Sequence, residues 1–220
     1  MIETIFVPRG AEADAVRAAA ARAGSSPRIV ETGIGPLAAS RAVDEALRAA
    51  PCGTTLVTGL CGLLSPAFAV GETLVYSELR RDGGPALGLE RSLGDAVAER
   101  VPGALTGIRA YASDRIVESP EEKHALALRT RAEAVDMESY ALAERLQAGG
   151  VPVAVVRVGS DSAADRLPEL DRALNGSGGM DGAALALAML RDPAAGLRLA
   201  RNGVRALGAL RRTIEAILRR

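Results

Sequence analysis

Short apolar runs and Ala-rich helical stretches alternate along the chain. "TIFV" is followed by the helical pattern "AEADAVRAAAARAG", which closes on Gly24. "RIVET" meets the turn "GIG" and then a second helical stretch, "PLAASRAVDEALRAA". "TTLVTGL", "GETLVYSEL" and "LTGIRAYAS" read as three more strands, and "VPVAVVRVGSD" is the clearest strand of all. A strand-like run also ends at Asp136, and the helical "SYALAERLQ" follows it. Apolar strands spaced by helices predict an α/β fold, with a largely parallel sheet covered by helices on both faces. The segment from Ala163 to Met180, with Pro168 and "NGSGG", reads as a long loop and a candidate flap. "DGAALALAMLRDP" and "GLRLARNGVRALGALRRTIEAILRR" close the chain as helices whose Arg residues form a solvated outer face. No repeat and no compositional break divides residues 1–220, so one domain is expected.

Composition narrows the function classes. Acids and bases cancel at 27 each, which gives no bulk attraction to nucleic acid or to an anionic membrane. Aromatics make up 2% of the chain, too few for a base-stacking platform. Cys52 and Cys61 form no disulfide framework, and His124, the one histidine, cannot make a His-rich metal site, so no metal is expected. The start "MIETIFVPRG" lacks the apolar core of a signal peptide, and no run reaches spanning length. A cytoplasmic protein with reduced thiols is expected, in which the sequon at Asn175 has no glycosylation context.

Two motifs carry chemistry. "GIGPLA" (Gly33 to Ala38) follows a strand and opens a helix, as a dinucleotide fingerprint does. The next strand, "TTLVTGL", has no acid for the ribose hydroxyls, so the dinucleotide reading fails. The glycines remain as tight packing or as amides facing an anion or a ribose. Acids also stand just beyond three strands: Glu12 after "TIFV", Glu138 after "AEAV", and Asp161 after "VPVAVVRVGS". Each alone reads as a cap or a solvated loop acid. Together they would converge at the carboxyl ends of the sheet, where parallel α/β folds bind ligands. With no metal-ligand residues beside them, acid–base chemistry is the natural use. Asp136 can cap the following helix, which leaves Glu138 for another role.

"AVDMESYALA" followed by "VPVAVVRVGSDSA" resembles the signature of the purine nucleoside phosphorylase and methylthioadenosine nucleosidase superfamily. "RGAEADAV", "TGIG", and "TGLCGLL" before "VGETLVYSE" match the same family in the same order over almost the whole chain. "SDRIVESPEEKHAL", "RLPEL" and the tail "LRDPAAGLRLARNGVRALGALRR" are most similar to its hopanoid-associated phosphorylase group. The resemblance implies a three-layer α/β/α fold with a mixed central sheet, a homo-oligomer, and cleavage of the N-glycosidic bond of an adenosine-type nucleoside. A hopanoid at the ribose 5′ position and release of adenine follow if the subgroup match holds. It further implies that Glu138 accepts from the ribose hydroxyls, Met137 packs on the sugar, and Asp161, oriented by Ser160, donates a proton to purine N7. Glu12 would position or activate water. The backbone of Ile116 would read the base, and Arg115 or an aliphatic wall would replace the stacking ring that this aromatic-poor chain lacks.

One departure matters. Where many of these phosphorylases hold phosphate with an Arg and a Ser, this chain has Val57 and Leu60. Gly33, Gly35, Thr58 and Gly59 could supply donors and Arg9 charge, but none makes a compelling clamp. Phosphorolysis, with inorganic phosphate as co-substrate and no other cofactor, and hydrolysis both stay open. The alternatives are a methylthioadenosine/S-adenosylhomocysteine or futalosine-type nucleosidase and, from another class, a non-catalytic nucleoside-binding module.

Overall fold

The computed structural model describes residues 2–175 and 179–219. The rest of the Asn175 sequon, and the part of the long loop at residues 176–178, lie outside the described residues. The strands are β1 (Thr4–Pro8), β2 (Arg28–Thr32), β3 (Thr55–Leu63), β4 (Thr73–Arg80), β5 (Leu87–Gly88), β6 (Leu105–Ala112), β7 (Ala134–Asp136) and β8 (Val153–Asp161). The helices are α1 (Ala11–Arg22), α2 (Pro36–Ala49), α3 (Arg91–Ala98), α4 (Pro120–Thr130), α5 (Ser139–Ala148), α6 (Gly182–Arg191) and α7 (Pro193–Leu218). Of these, α3, α4 and the two-residue β5 are not expected from the sequence; α3 and β5 are short, and α4 begins in the charged run "PEEK".

The strands form one mixed sheet in the order β2-β1-β3-β7-β6-β4-β5, and β8 pairs with both β3 and β4. Five of the pairings are parallel: β1 with β2 and β3, β3 with β8, β4 with β6, and β6 with β7. Because β8 bridges β3 and β4 while β7 bridges β3 and β6, these five strands close on themselves, and β1 and β2 extend as a wing.

Successive strand residues feed opposite faces, as the two-residue strand period requires. Phe6, Val57 and Val155 pack on one side with Ala39 and Val43 of α2 and Leu142 and Leu146 of α5. Ile5, Val7, Leu56 and Val156 pack on the other with Val16 of α1, Val97 of α3, and Leu210 and Ile214 of α7. Both faces are covered, which is why the strand sequences read as continuous apolar runs. No helix among the described residues is long and apolar enough to cross a membrane.

Helix α4 begins with a reciprocal cap. Ser119 Oγ accepts from the Glu122 amide at 3.1 Å, and Glu122 Oε2 accepts from the Ser119 amide at 3.4 Å. Pro120 at the first helical position fits the same start. Ser119→Ala removes one acceptor from the first turn and should cost about 1 kcal/mol of unfolding free energy in urea denaturation. An unchanged midpoint and slope would show that the cap does not stabilise α4.

Candidate active site

The polar centre is built around an arginine in the middle of an apolar strand. Arg157 of β8 is fully buried. Its Nε donates to Ser139 Oγ at 3.0 Å and its Nη1 to the Leu60 carbonyl at 3.5 Å. Asp136 Oδ2 lies 3.6 Å from Nε, and Glu138 Oε2 lies 3.7 Å from Nη2. Nη2 has no hydrogen-bond partner among the described residues. Burial alone would lower the guanidinium's pKa, but Asp136 and Glu138, with smaller contributions from Tyr76 and Glu12, outweigh it and hold the group charged.

Glu12 enters the same centre from the second residue of α1, and its Oε2 accepts from the Leu60 amide at 2.7 Å. Gly59 makes this possible. A Cβ there would stand 2.5 Å from both Arg157 Nη1 and Glu12 Oε2, and its φ of +143° disfavours a side chain as well. Burial pushes the Glu12 carboxyl up to about 7, against the pull of Arg157 and the Leu60 N–H, while Glu138 and Asp136 push it further.

The two acids around Met137 divide as the sequence implies. Asp136 Oδ1 accepts from the Glu138 and Ser139 amides at 3.0 and 2.8 Å, and Oδ2 from Ser139 Oγ at 2.7 Å, so this carboxylate tethers the start of α5. Glu138 is buried and turned the other way, with Oε1 accepting from the Gly35 amide at 2.9 Å. Burial raises its pKa, Arg157 opposes, and Asp136 adds to the rise. Met137 lines a cavity of about 230 Å³ with Ile34, Pro36, Leu37 and Leu174, beside Gly35.

Asp161 ends β8 opposite Gly62, past a register shift in the β3–β8 ladder at Cys61/Gly62. Ser160 Oγ stands 2.7 Å from Asp161 Oδ1 and 3.0 Å from the Cys61 carbonyl, so its one proton faces two acceptors. Lys123 Nζ, from α4, meets Asp161 Oδ2 at 2.5 Å. Glu12 and Glu138 thus gather round Arg157 near Gly59 and Leu60, and Asp161 stands farther along the same strand.

Other expected site residues are placed differently. The Gly35 amide is committed to Glu138, so it is not a free donor for phosphate. Gly33 is buried, Thr58 is buried with a hydroxyl that lacks a hydrogen-bond partner among the described residues, and Arg9 is exposed. Arg115 pairs with Glu122 of α4, at 2.7 Å. The Ile116 amide donates to Asp171 Oδ1 at 3.0 Å, and the Asp171 amide to Glu118 Oε1 at 2.7 Å, so the loop before α6 occupies the backbone group expected to read a base. A cavity of about 860 Å³, lined by Ile2, Glu3, Pro27, Thr54, Arg100 and Ile217, opens beside the starts of β1, β2 and β3, and none of Glu12, Glu138 and Asp161 lines it.

Sequence reasoning missed Arg157 and Lys123. A lone charge inside "VAVVRVG" was a usable signal, because a strand buried on both faces can hold a charge only if it is paired. Lys123 sits in the charged run "SPEEKHAL", where nothing separates it from solvated neighbours.

The raised Glu12 pKa has a sign that can be measured. A carboxyl that binds its proton more tightly when folded contributes stability that is full below its unfolded pKa of 4.5 and lost as pH rises through about 7. Glu12→Gln imitates the protonated form. The wild type should lose about 1–3 kcal/mol relative to this variant between pH 4.5 and about 8 in denaturant titrations. Parallel stability profiles would show that Glu12 titrates normally.

A family model described as "Phosphorylase superfamily" matches residues 4–191. No curated protein matches. Among solved structures, the 5′-methylthioadenosine/S-adenosylhomocysteine nucleosidase of Neisseria meningitidis, in complex with methylthio-immucillin-A, superposes with a TM-score of 0.73 at 17% identity over 98% of each chain. The corresponding nucleosidase of Helicobacter pylori gives 0.68 at 16% over 96% of each. The futalosine hydrolase of Helicobacter pylori strain 26695 gives 0.66 at 17%, over 94% of this chain and 98% of its own. At these identities the likeness is one of fold, and it matches the mixed α/β architecture expected from sequence. With the family model spanning most of its length, the chain belongs to the phosphorylase superfamily.

Proposed function

We propose that this enzyme of the nucleoside phosphorylase and nucleosidase class cleaves the N-glycosidic bond of an adenosine-type nucleoside by hydrolysis and releases adenine. The observation that carries the reading is the arrangement along β3: Glu12 at Leu60, Glu138 beside both Arg157 and Gly35, and Asp161 at Gly62. Glu138, held at one oxygen by the Gly35 amide, accepts from the ribose hydroxyls. Met137 packs on the sugar. Asp161, positioned by Ser160, protonates N7 as the C1′–N9 bond breaks and its electron pair moves into the purine. The ribosyl group passes through an oxocarbenium-like state, and water adds at C1′ while Glu12 takes its proton. A carboxyl pushed up to about 7 suits a base working near neutrality.

Charge favours water over phosphate as nucleophile. Asp136 and Glu138 flank one guanidinium, and Glu12, whose carboxyl is pushed up to about 7, adds negative charge as it ionises, so the centre opposes a further anion. The unpartnered Arg157 Nη2 is the one observation on the side of phosphorolysis. The 5′ substituent, a hopanoid or a methylthio group, rests on the sequence resemblance and on the methylthioadenosine named for the structural neighbours, since the cavity of about 230 Å³ beside Met137 mixes apolar walls with Arg41, Asp114 and Asn175. Adenine as the base rests on the sequence resemblance and on the methylthioadenosine named for the structural neighbours. A homo-oligomer is part of the same proposal, carried by the resemblance.

Product analysis tests the reaction. Adenosine and 5′-alkylthioadenosines should yield adenine and the free sugar at a rate indifferent to phosphate. A strict phosphate requirement with a sugar 1-phosphate as product would replace hydrolysis by phosphorolysis. Binding of adenine without any cleavage would favour the binding module.

Asp161→Asn keeps the size of the side chain but cannot pass on a proton. Cleavage of adenine nucleosides should fall about 10²–10⁴-fold, and far less for nitrophenyl ribosides, whose leaving group departs without protonation. Equal losses on the two substrates would remove the acid role from Asp161.

A further inference from the structure

Lys123 is fully buried, and its ammonium meets three oxygens: Asp161 Oδ2 at 2.5 Å, the Ser162 carbonyl at 2.8 Å and the Asp165 carbonyl at 3.2 Å. Three N–H donors thus have three acceptors, and one of these is a charged partner. A cation taken out of water needs such a partner, and Asp161 is the acid that Lys123 pairs with among the described residues. The Asp165 carboxylate is engaged elsewhere, by the Ser162 amide at 2.8 Å, Asn202 Nδ2 at 3.2 Å and Arg198 Nε at 3.3 Å. The two Asp161 oxygens are therefore held by different groups, Oδ1 by Ser160 and Oδ2 by Lys123.

We infer that Lys123 is a positioning residue for the leaving-group proton: it fixes the Asp161 carboxyl and stabilises the anion that forms there when the base is protonated. The inference rests on the nucleosidase reading above. In the step itself, the O–H bond of Asp161 breaks, the N7–H bond forms, and the C1′–N9 pair moves into the purine. Asp161 is left as a carboxylate between an ammonium and a hydroxyl. In a buried site such fixed partners act without the reorganisation that water would need. After adenine leaves, the ion pair with Lys123 is the resting state, and Asp161 takes up its proton from solvent before the next cleavage.

A plain structural role would use the same lysine to tie the turn at residues 162–165 to α4 through the two carbonyls. The two roles differ in their dependence on the leaving group. Lys123→Met should lower kcat for an adenine nucleoside about 10²-fold with KM within a few-fold, whereas the loss on a nitrophenyl riboside should be at least about tenfold smaller. In an Asp161→Asn background, Lys123→Met should add little further loss, because its effect runs through Asp161. Should Lys123→Met fail to fold, Lys123→Gln takes its place, since it can still donate to the carbonyls without the charge. Equal losses on both substrates, full additivity with Asp161→Asn, unchanged kinetics, or failure of both variants to fold would each overturn the assignment. Wild-type protein that cleaves neither substrate would instead overturn the nucleosidase reading itself.

Discussion

The structure depends on keeping one guanidinium charged inside the protein. Arg157 is wholly buried in a strand whose other residues up to Gly159 are Val, Ala and Gly, and an unpaired charge in that position would not be tolerated. Its partners arrive from separate parts of the chain: Leu60 from β3, Asp136 from the end of β7, Glu138 and Ser139 from the start of α5, and Glu12 from α1. Each is placed by backbone that also builds the fold. The Asp136 carboxylate takes the first amides of α5, and Gly59 clears the space in which Arg157 and Glu12 approach β3. Removing the arginine would leave carboxylates facing one another in a dry centre, so stability and site geometry rest on the same group.

That dependence explains what could be read from the sequence. The strands and most helices were legible, because burial on both faces writes apolar runs and one-sided burial writes a helical stripe. Glu12, Glu138 and Asp161 were legible because acids at strand ends break those runs. Arg157 breaks a run as well, but in mid-strand, where its meaning depends on Gly59 and α1 being across from it, a relation between segments far apart in the chain. Closure of the sheet was hidden for a similar reason: β8 pairs parallel with β3 and antiparallel with β4, and no local pattern in "VPVAVVRVGSD" specifies two neighbours. The pairing of Arg115 with Glu122 and of the Ile116 amide with Asp171 could not be read from the sequence, because both acids are half-buried groups that could as well have faced water.

The two ends of the site carry opposite electrostatics, and the proposed reaction needs both. Near Leu60, burial raises the affinity of Glu12 for a proton against the pull of Arg157, Glu138 and Asp136 add to the rise, and the acids disfavour a second anion. Near Gly62, one carboxylate faces one ammonium, so a negative charge formed there is met by a fixed positive one. Glycosidic cleavage by water takes up a proton at the nucleophile end and gives one up at the base end. An acid-rich environment serves the first and a cation-paired acid serves the second. The two loci sit two residues apart on one strand, roughly 6–7 Å at the usual rise. A single strand thus sets the distance between the two proton transfers. The register shift at Cys61/Gly62 brings Asp161 level with Gly62, whereas the unshifted ladder would have placed Ser160 there.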